Sequence, residues 1–170
     1  RARGARWGGE RGLPPGSGAR GVVVAKARGG FGRPIAEYVL MMILAISRRL
    51  PQQLELQRER TWQPVEGTEL RDVTVGVVGL GSIGGTVAEL ASAFGCRVVA
   101  VRRRGDAGAT ASHPEDAARP FGDVTLDRVG GPETLPGLLA ESDFIVLAAP
   151  LTPATEAVSD AEELALGKPG

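Results

Sequence analysis

The sequence predicts an α/β fold, a Rossmann-like doubly wound parallel sheet with its first half present and its later strands missing. Three observations carry that expectation. Residues 73–78 form an almost unbroken β-branched run, as a strand covered on both faces requires. That run leads into Gly79-Leu80-Gly81-Ser82-Ile83-Gly84 and then into helical spacing over residues 86–94, closed by Gly95 as a C-cap. Further strands are expected at 97–101 and 144–148, the second closed by Pro150. Strand, turn, helix, strand is the unit of a parallel sheet, because parallel neighbours need a crossover between them.

The remaining elements follow in order. Residues 1–20 are rich in Gly, Pro and Arg and have no apolar period, so a loop or disordered end is expected. Residues 21–25 read as a short strand, and Gly29, Gly30 and Gly32 as a flexible turn. Pro34 suits the first turn of a helix, where its missing N–H costs nothing. Residues 35–50 predict a helix that ends at Arg48, Arg49 and Pro51; it is apolar on most faces and therefore expected to be buried, between domains or subunits. Residues 52–72 are polar, with Trp62 isolated among them. Residues 103–123 read as loop, 124–126 as a weak strand, 132–141 as a helix and 160–166 as a further helix. The expected division is a poorly ordered segment over 1–33 and a nucleotide-binding unit over 34–170.

Composition narrows the function classes. The chain has 170 residues, 42% of them hydrophobic, and a formal net charge of zero. A zero balance argues against a nucleic-acid surface, which shows a basic excess. The longest apolar run, residues 38–46, is too short to span a bilayer, so no membrane partner is expected. Cys96 is the only cysteine; no internal disulfide can form, and a cytoplasmic location is expected. Its place in an apolar run suggests a small buried hydrophobe. One cysteine and one histidine, His113, far apart, offer no metal cluster.

The G-x-G-x-x-G at 79–84 carries the chemistry. Gly79 permits the tight turn, Gly81 lets the backbone approach a pyrophosphate, and Gly84 lets the helix pack close to the strand. Ser82 and Ile83 open the helix, whose free N–H groups and partial positive charge suit phosphate. The alternative is a purely structural turn. In NAD-binding domains an acid at the end of the second strand takes the ribose 2′-hydroxyl. Here Arg102, Arg103 and Arg104 occupy that place, and no carboxylate comes before Asp106. Guanidinium groups suit a 2′-phosphate, so NADP is expected in preference to NAD. A solvated basic loop is the alternative.

Over residues 21–170 the sequence resembles the D-isomer-specific 2-hydroxyacid dehydrogenases, in particular members of the glyoxylate and hydroxypyruvate reductase type. The resemblance rests on Ala36-Glu37 at the start of a long helix ending Arg48-Arg49-Leu50-Pro51, on Trp62, and on Glu69-Leu70 before Val73–Gly81. It rests further on Ser142-Asp143 before residues 144–147, on Ala149-Pro150-Leu151-Thr152 with Thr155, and on Lys168-Pro169-Gly170. It implies a nucleotide domain inserted in a substrate domain, a remnant of which would lie in residues 1–33. It also implies a homodimer when complete, and hydride transfer between a nicotinamide and C2 of a 2-oxo or 2-hydroxy acid. By resemblance Gly79, Gly81, Ser82, Ile83 and Gly84 hold the pyrophosphate, and Pro150, Leu151, Thr152 and Thr155 line the nicotinamide side. The arginine, acid and histidine of the family's chemistry belong after the Lys-Pro-Gly turn. No residue here matches them, His113 included, so no catalytic residue is expected in this chain and inactivity alone is expected. Two other classes stay open: a regulatory protein of the same fold that senses NAD(P)H without turnover, and a truncated product without function.

Overall fold

The computed structural model describes residues 31–102, 126–149 and 165–168. Four strands, β1 (Thr74–Val78), β2 (Arg97–Val101), β3 (Arg128–Gly130) and β4 (Phe144–Leu147), form one sheet in the order β3-β2-β1-β4. All three pairings are parallel. This is the first half of the doubly wound order 3-2-1-4, in which the winding reverses between β1 and β4. The helices are α1 (Gly32–Ser47), α2 (Leu50–Arg58), α3 (Ser82–Ala93) and α4 (Leu135–Glu141).

Both faces of the sheet are covered, which explains the continuous apolar runs. β1 is buried along its whole length. On one face Val75, Val77, Val98 and Ala100 pack with Val87 and Ala91 of α3 and with Leu40 and Ile43 of α1. On the other, Val99 and Val101 pack with Leu135, Leu138 and Leu139 of α4. Gly76 makes the second layer possible: a Cβ there would overlap the Leu138 and Ser142 side chains. Cys96 is buried in the first cluster, as a small hydrophobe.

The expected helix over 35–50 is two helices. α1 stops at Ser47, Arg49 takes a left-handed conformation (φ 52°), and α2 starts at Leu50 with Pro51 in its first turn. Proline supplies the reason. The Ser47 carbonyl would normally accept from the N–H four residues on, and Pro51 has none. The returning chain takes the vacancy: the Thr68 N–H donates to the Ser47 carbonyl at 2.8 Å. Gly67 allows this approach, since a Cβ there would lie 2.7 Å from the same oxygen. Pro51 thus opens a helix rather than closing one, and part of the polar stretch 52–72 is helical.

Within this chain α1 is covered along Ala36, Leu40, Ile43 and Ser47, while Tyr38, Met41, Met42 and Ile46 are exposed and form the face on which the expected burial between domains or subunits would fall. One further expectation is corrected. The third strand is Arg128–Gly130, not 124–126; Leu126 lies outside it, and residues 124 and 125 are not among those described. Its place is set by pairing with Val99, Ala100 and Val101 rather than by its own composition. The expected helix over 132–141 is a 3₁₀ turn (Pro132–Thr134) followed by α4. The expected strand at 21–25 lies outside the described residues. So does most of the expected helix at 160–166, of which residues 165 and 166 are turn.

Candidate nucleotide-binding site

The strand register brings four chain segments to the C-terminal edge of the sheet. The Gly79 N–H donates to the Val101 carbonyl (2.8 Å), the Arg102 N–H to the Gly130 carbonyl (3.0 Å), and the Ala148 N–H to the Val78 carbonyl (2.8 Å). Gly79, Arg102, Gly130 and Ala148 therefore end neighbouring strands in one row. The crevice outside the strand ends, where the winding reverses, is where open α/β sheets bind ligands.

The three glycines of the motif differ in what surrounds them. Gly79 has φ +99°, and a Cβ there would lie 2.7 Å from the Ala149 N. It is both the tight turn and the point where the β1 end meets the β4 end. Gly84 is buried, and a Cβ would overlap the Gly79 carbonyl oxygen. That contact lets α3 begin directly against the strand that feeds it. Gly81 is exposed, and a Cβ would meet none of the described residues within 4 Å. The missing side chain leaves an open approach to the backbone, a cradle of the kind a pyrophosphate needs.

Ser82 and Ile83, both half-buried, form the first turn of α3 with Gly84. The first helical bond runs from the Gly85 N–H to the Gly81 carbonyl (2.8 Å), so the N–H groups before it are not used within the helix. Among the described residues no side chain caps this end, and no acidic residue lies in its first turn. The helix end keeps its partial positive charge, which suits an anion. From behind, Gly32 of α1 closes on the turn: a Cβ there would lie 2.9 Å from the Ser82 carbonyl oxygen. Sequence reasoning took Gly32 as part of a flexible turn; its close contact with a residue fifty positions away had no local signature.

Arg102 follows β2 and is half-buried, and its guanidinium Nε is buried without a hydrogen-bond partner among the described residues. A buried, unpaired guanidinium nitrogen is costly unless an anion or water completes it. Arg103, Arg104, Pro150, Leu151, Thr152, Thr155 and His113 lie outside the described residues. Beside Arg102, the turn after β3 also reaches this edge through Gly130 and Glu133. The sequence reading missed it; the Gly130-Gly131-Pro132-Glu133-Thr134 run was its only local signal.

The opposite edge of the sheet is built differently. The Asp143 Oδ2 accepts the Thr74 N–H (2.8 Å), and the Asp127 Oδ2 accepts the Val98 N–H (2.8 Å). Each aspartate precedes a strand and clasps the start of its neighbour. Lys168 Nζ donates to the other Asp143 oxygen at 2.6 Å. Burial pushes the Asp143 carboxyl up, but the Lys168 hydrogen bond, the Thr74 N–H and the Lys168 charge outweigh it and hold the group below its ordinary value. Glu141 bridges Arg97 (2.7 Å) and Arg128. Desolvation raises the Cys96 thiol above its ordinary value despite an opposing backbone hydrogen bond, which leaves it a poor nucleophile.

A groove of about 680 Å³ between α2 and residues 60–65 is lined by Arg48, Leu56, Arg60, Trp62 and Val65. It shares no residue with the strand ends. Among the described residues no group of acidic, histidine or cysteine side chains could hold a metal ion, and no helix is long and apolar enough to cross a membrane.

The family model described as D-isomer specific 2-hydroxyacid dehydrogenase, NAD binding domain, matches residues 40–170. The chain is 38% identical over 154 residues to D-3-phosphoglycerate dehydrogenase of Mycobacterium bovis, covering 89% of this chain and 26% of that protein. It is 31% identical to hydroxypyruvate reductase of Thermotoga maritima, covering 89% of this chain and 44% of that one. Among solved structures, a D-isomer specific 2-hydroxyacid dehydrogenase family protein from Aeromonas salmonicida superposes with a TM-score of 0.74 at 31% identity, covering 89% of this chain and 44% of that one. A D-isomer specific 2-hydroxyacid dehydrogenase from Xanthobacter autotrophicus, in complex with NADPH and MES, superposes with a TM-score of 0.66 at 29% identity, covering 86% and 42%. The chain thus spans between a quarter and a half of the length of these relatives.

Proposed function

The chain belongs to the D-isomer specific 2-hydroxyacid dehydrogenase family, and on that premise we propose that it forms the NADPH-accepting part of an oxidoreductase acting on a small 2-oxo or 2-hydroxy acid of the glyoxylate or hydroxypyruvate type. When bound, the nicotinamide would give a hydride to C2 of a 2-oxo acid or take one from C2 of a 2-hydroxy acid. This chain's residues bind and orient. Gly81 leaves the backbone open to the pyrophosphate, and the N–H groups of Ser82, Ile83 and Gly84 donate to it. Gly79 holds the turn against Ala149, and by resemblance to the family Pro150, Leu151, Thr152 and Thr155 are assigned to the nicotinamide side. No residue of this chain is assigned to the proton transfer or to the substrate carboxylate. The nucleotide-binding unit is placed at 34–170, with residues 1–33 belonging to the substrate-domain side. The exposed apolar face of α1 supports a homodimer, and the single free cysteine a cytoplasmic setting.

The observation that carries the cofactor preference is Arg102, whose buried Nε has no described partner where an NAD-binding domain places a carboxylate. The NADPH complex of the Xanthobacter relative supports the same reading. Fluorescence titration of the chain with NADPH and NADH tests it. NADPH is expected to bind at least about tenfold more tightly, and Arg102→Ala to reduce that ratio to about threefold or less. Equal affinities in the unaltered chain overturn the preference, and binding of neither overturns the site. Turnover of glyoxylate, hydroxypyruvate and D-3-phosphoglycerate by the full-length protein then selects the substrate.

A further inference from the structure

β2 and β3 are in register through Val101 and Gly130, and Arg102 is bonded to the Gly130 carbonyl. Gly131 therefore lies beside Arg102 at about one strand spacing, roughly 5 Å. There the chain turns into Pro132–Thr134, and Glu133 folds back on it. The Glu133 Oε1 accepts the Gly131 N–H at 3.1 Å, and its carboxylate fills the space that a Cβ on Gly131 would take. Thr134 Oγ1 donates to the Gly131 carbonyl at 2.8 Å and fixes the turn from its other end. The carboxylate is exposed yet tethered, and it is not among the ion pairs of the described residues.

We propose that Glu133 is a specificity-determining residue for the 2′ position of the adenosine ribose, an anionic wall beside Arg102 that restrains its preference for phosphate and keeps the 2′-hydroxyl form acceptable. The inference rests on the reading of Arg102 given above. A 2′-phosphate brings nearly two negative charges, and a tethered carboxylate on the turn of the neighbouring strand opposes them through a repulsion that salt screens. A 2′-hydroxyl carries no charge and is indifferent to the wall, or donates to it. The end of β2 lacks the acid of an NAD site; the end of β3 supplies one at a distance.

Glu133→Gln tests this, because the amide oxygen still accepts the Gly131 N–H and the turn stays closed. The 170-residue chain and the variant are titrated with NADPH and NADH at low and at high salt. The variant is expected to bind NADPH about three- to tenfold more tightly at low salt, with NADH within about twofold, and high salt removes most of the gain. Normal binding with an unchanged NADPH to NADH ratio overturns the proposal, as does an equal change for both nucleotides. If neither protein binds either nucleotide, the site itself is refuted, and the proposal falls with it. Circular dichroism of the variant, expected to match the unaltered chain, separates a misfolded turn from a true null.

Discussion

At the N-terminal edge of the sheet, side chains close the strand ends; at the C-terminal end of β1 the backbone of the glycine turn is left bare. Asp127 and Asp143 clasp the first N–H groups of neighbouring strands, and Glu141 ties Arg97 to Arg128. Across the sheet, Gly79, Gly81 and Gly84 carry no side chains, and among the described residues no side chain caps α3 and none pairs with the buried Arg102 Nε. The difference teaches where this fold keeps its reserve. One edge spends its polar groups on itself and contributes stability. The other leaves donors unanswered, a local cost that a bound anion repays.

Three substitutions break or sharpen that contrast. The largest effect is expected at Gly84, which belongs to the bare edge yet serves packing. Gly84→Ala sets a methyl group against the Gly79 carbonyl and is expected to cost about 3 kcal/mol or more, lowering the melting temperature by several degrees or preventing folding. Thermal unfolding followed by circular dichroism checks it; an unshifted transition means that α3 can slide away from β1. Gly81→Ala is the counterpart. Its φ is −93° and a Cβ would meet none of the described residues, so the melting temperature should hold while NADPH binding weakens about tenfold. A stability loss without a binding loss would reassign Gly81 to structure.

The smallest effect belongs to the clasped edge. The Asp143 carboxyl is held below its ordinary value in the fold. Its contribution is therefore complete above the unfolded value, about pH 4, and drains away as pH falls through the lower folded one. The melting-temperature gap between the unaltered chain and Asp143→Asn should be constant from neutral pH to about pH 5 and shrink below about pH 4. A gap that widens on acidification reverses the sign and means that burial, not Lys168 and Thr74, governs Asp143.

The bare edge was the more legible of the two in the sequence. The glycines of 79–84 have definite geometric duties, so their spacing announces the turn once a strand precedes it and a helix follows, and β1 is buried along its whole length, which makes its apolar run plain. α2 was illegible because it buries no residue: Leu50–Arg58 has no apolar stripe to detect, and Pro51 reads equally as a stop and as a start. β3 was misplaced because three residues, one of them Gly130, take strand form only through pairing with β2. Glu133 escaped because its meaning lies in the register between two strands. The clasping aspartates escaped for the same reason, since Asp143 and Thr74 stand far apart in sequence.

The contact between Gly32 and the Ser82 carbonyl limits how this motif can be inherited or borrowed. Helix α1 precedes the turn by a whole segment of chain, yet it forms the turn's back wall, and Leu40 and Ile43 roof Val87 and Ala91. A graft of β1, the glycine turn and α3 alone would carry the motif's letters into a new host and expose the apolar side of α3 there. The transferable module is discontinuous: it is α1 together with β1 and α3, with the intervening residues free to vary in length. A homologue missing α1 would need a substitute cover before its glycines could work.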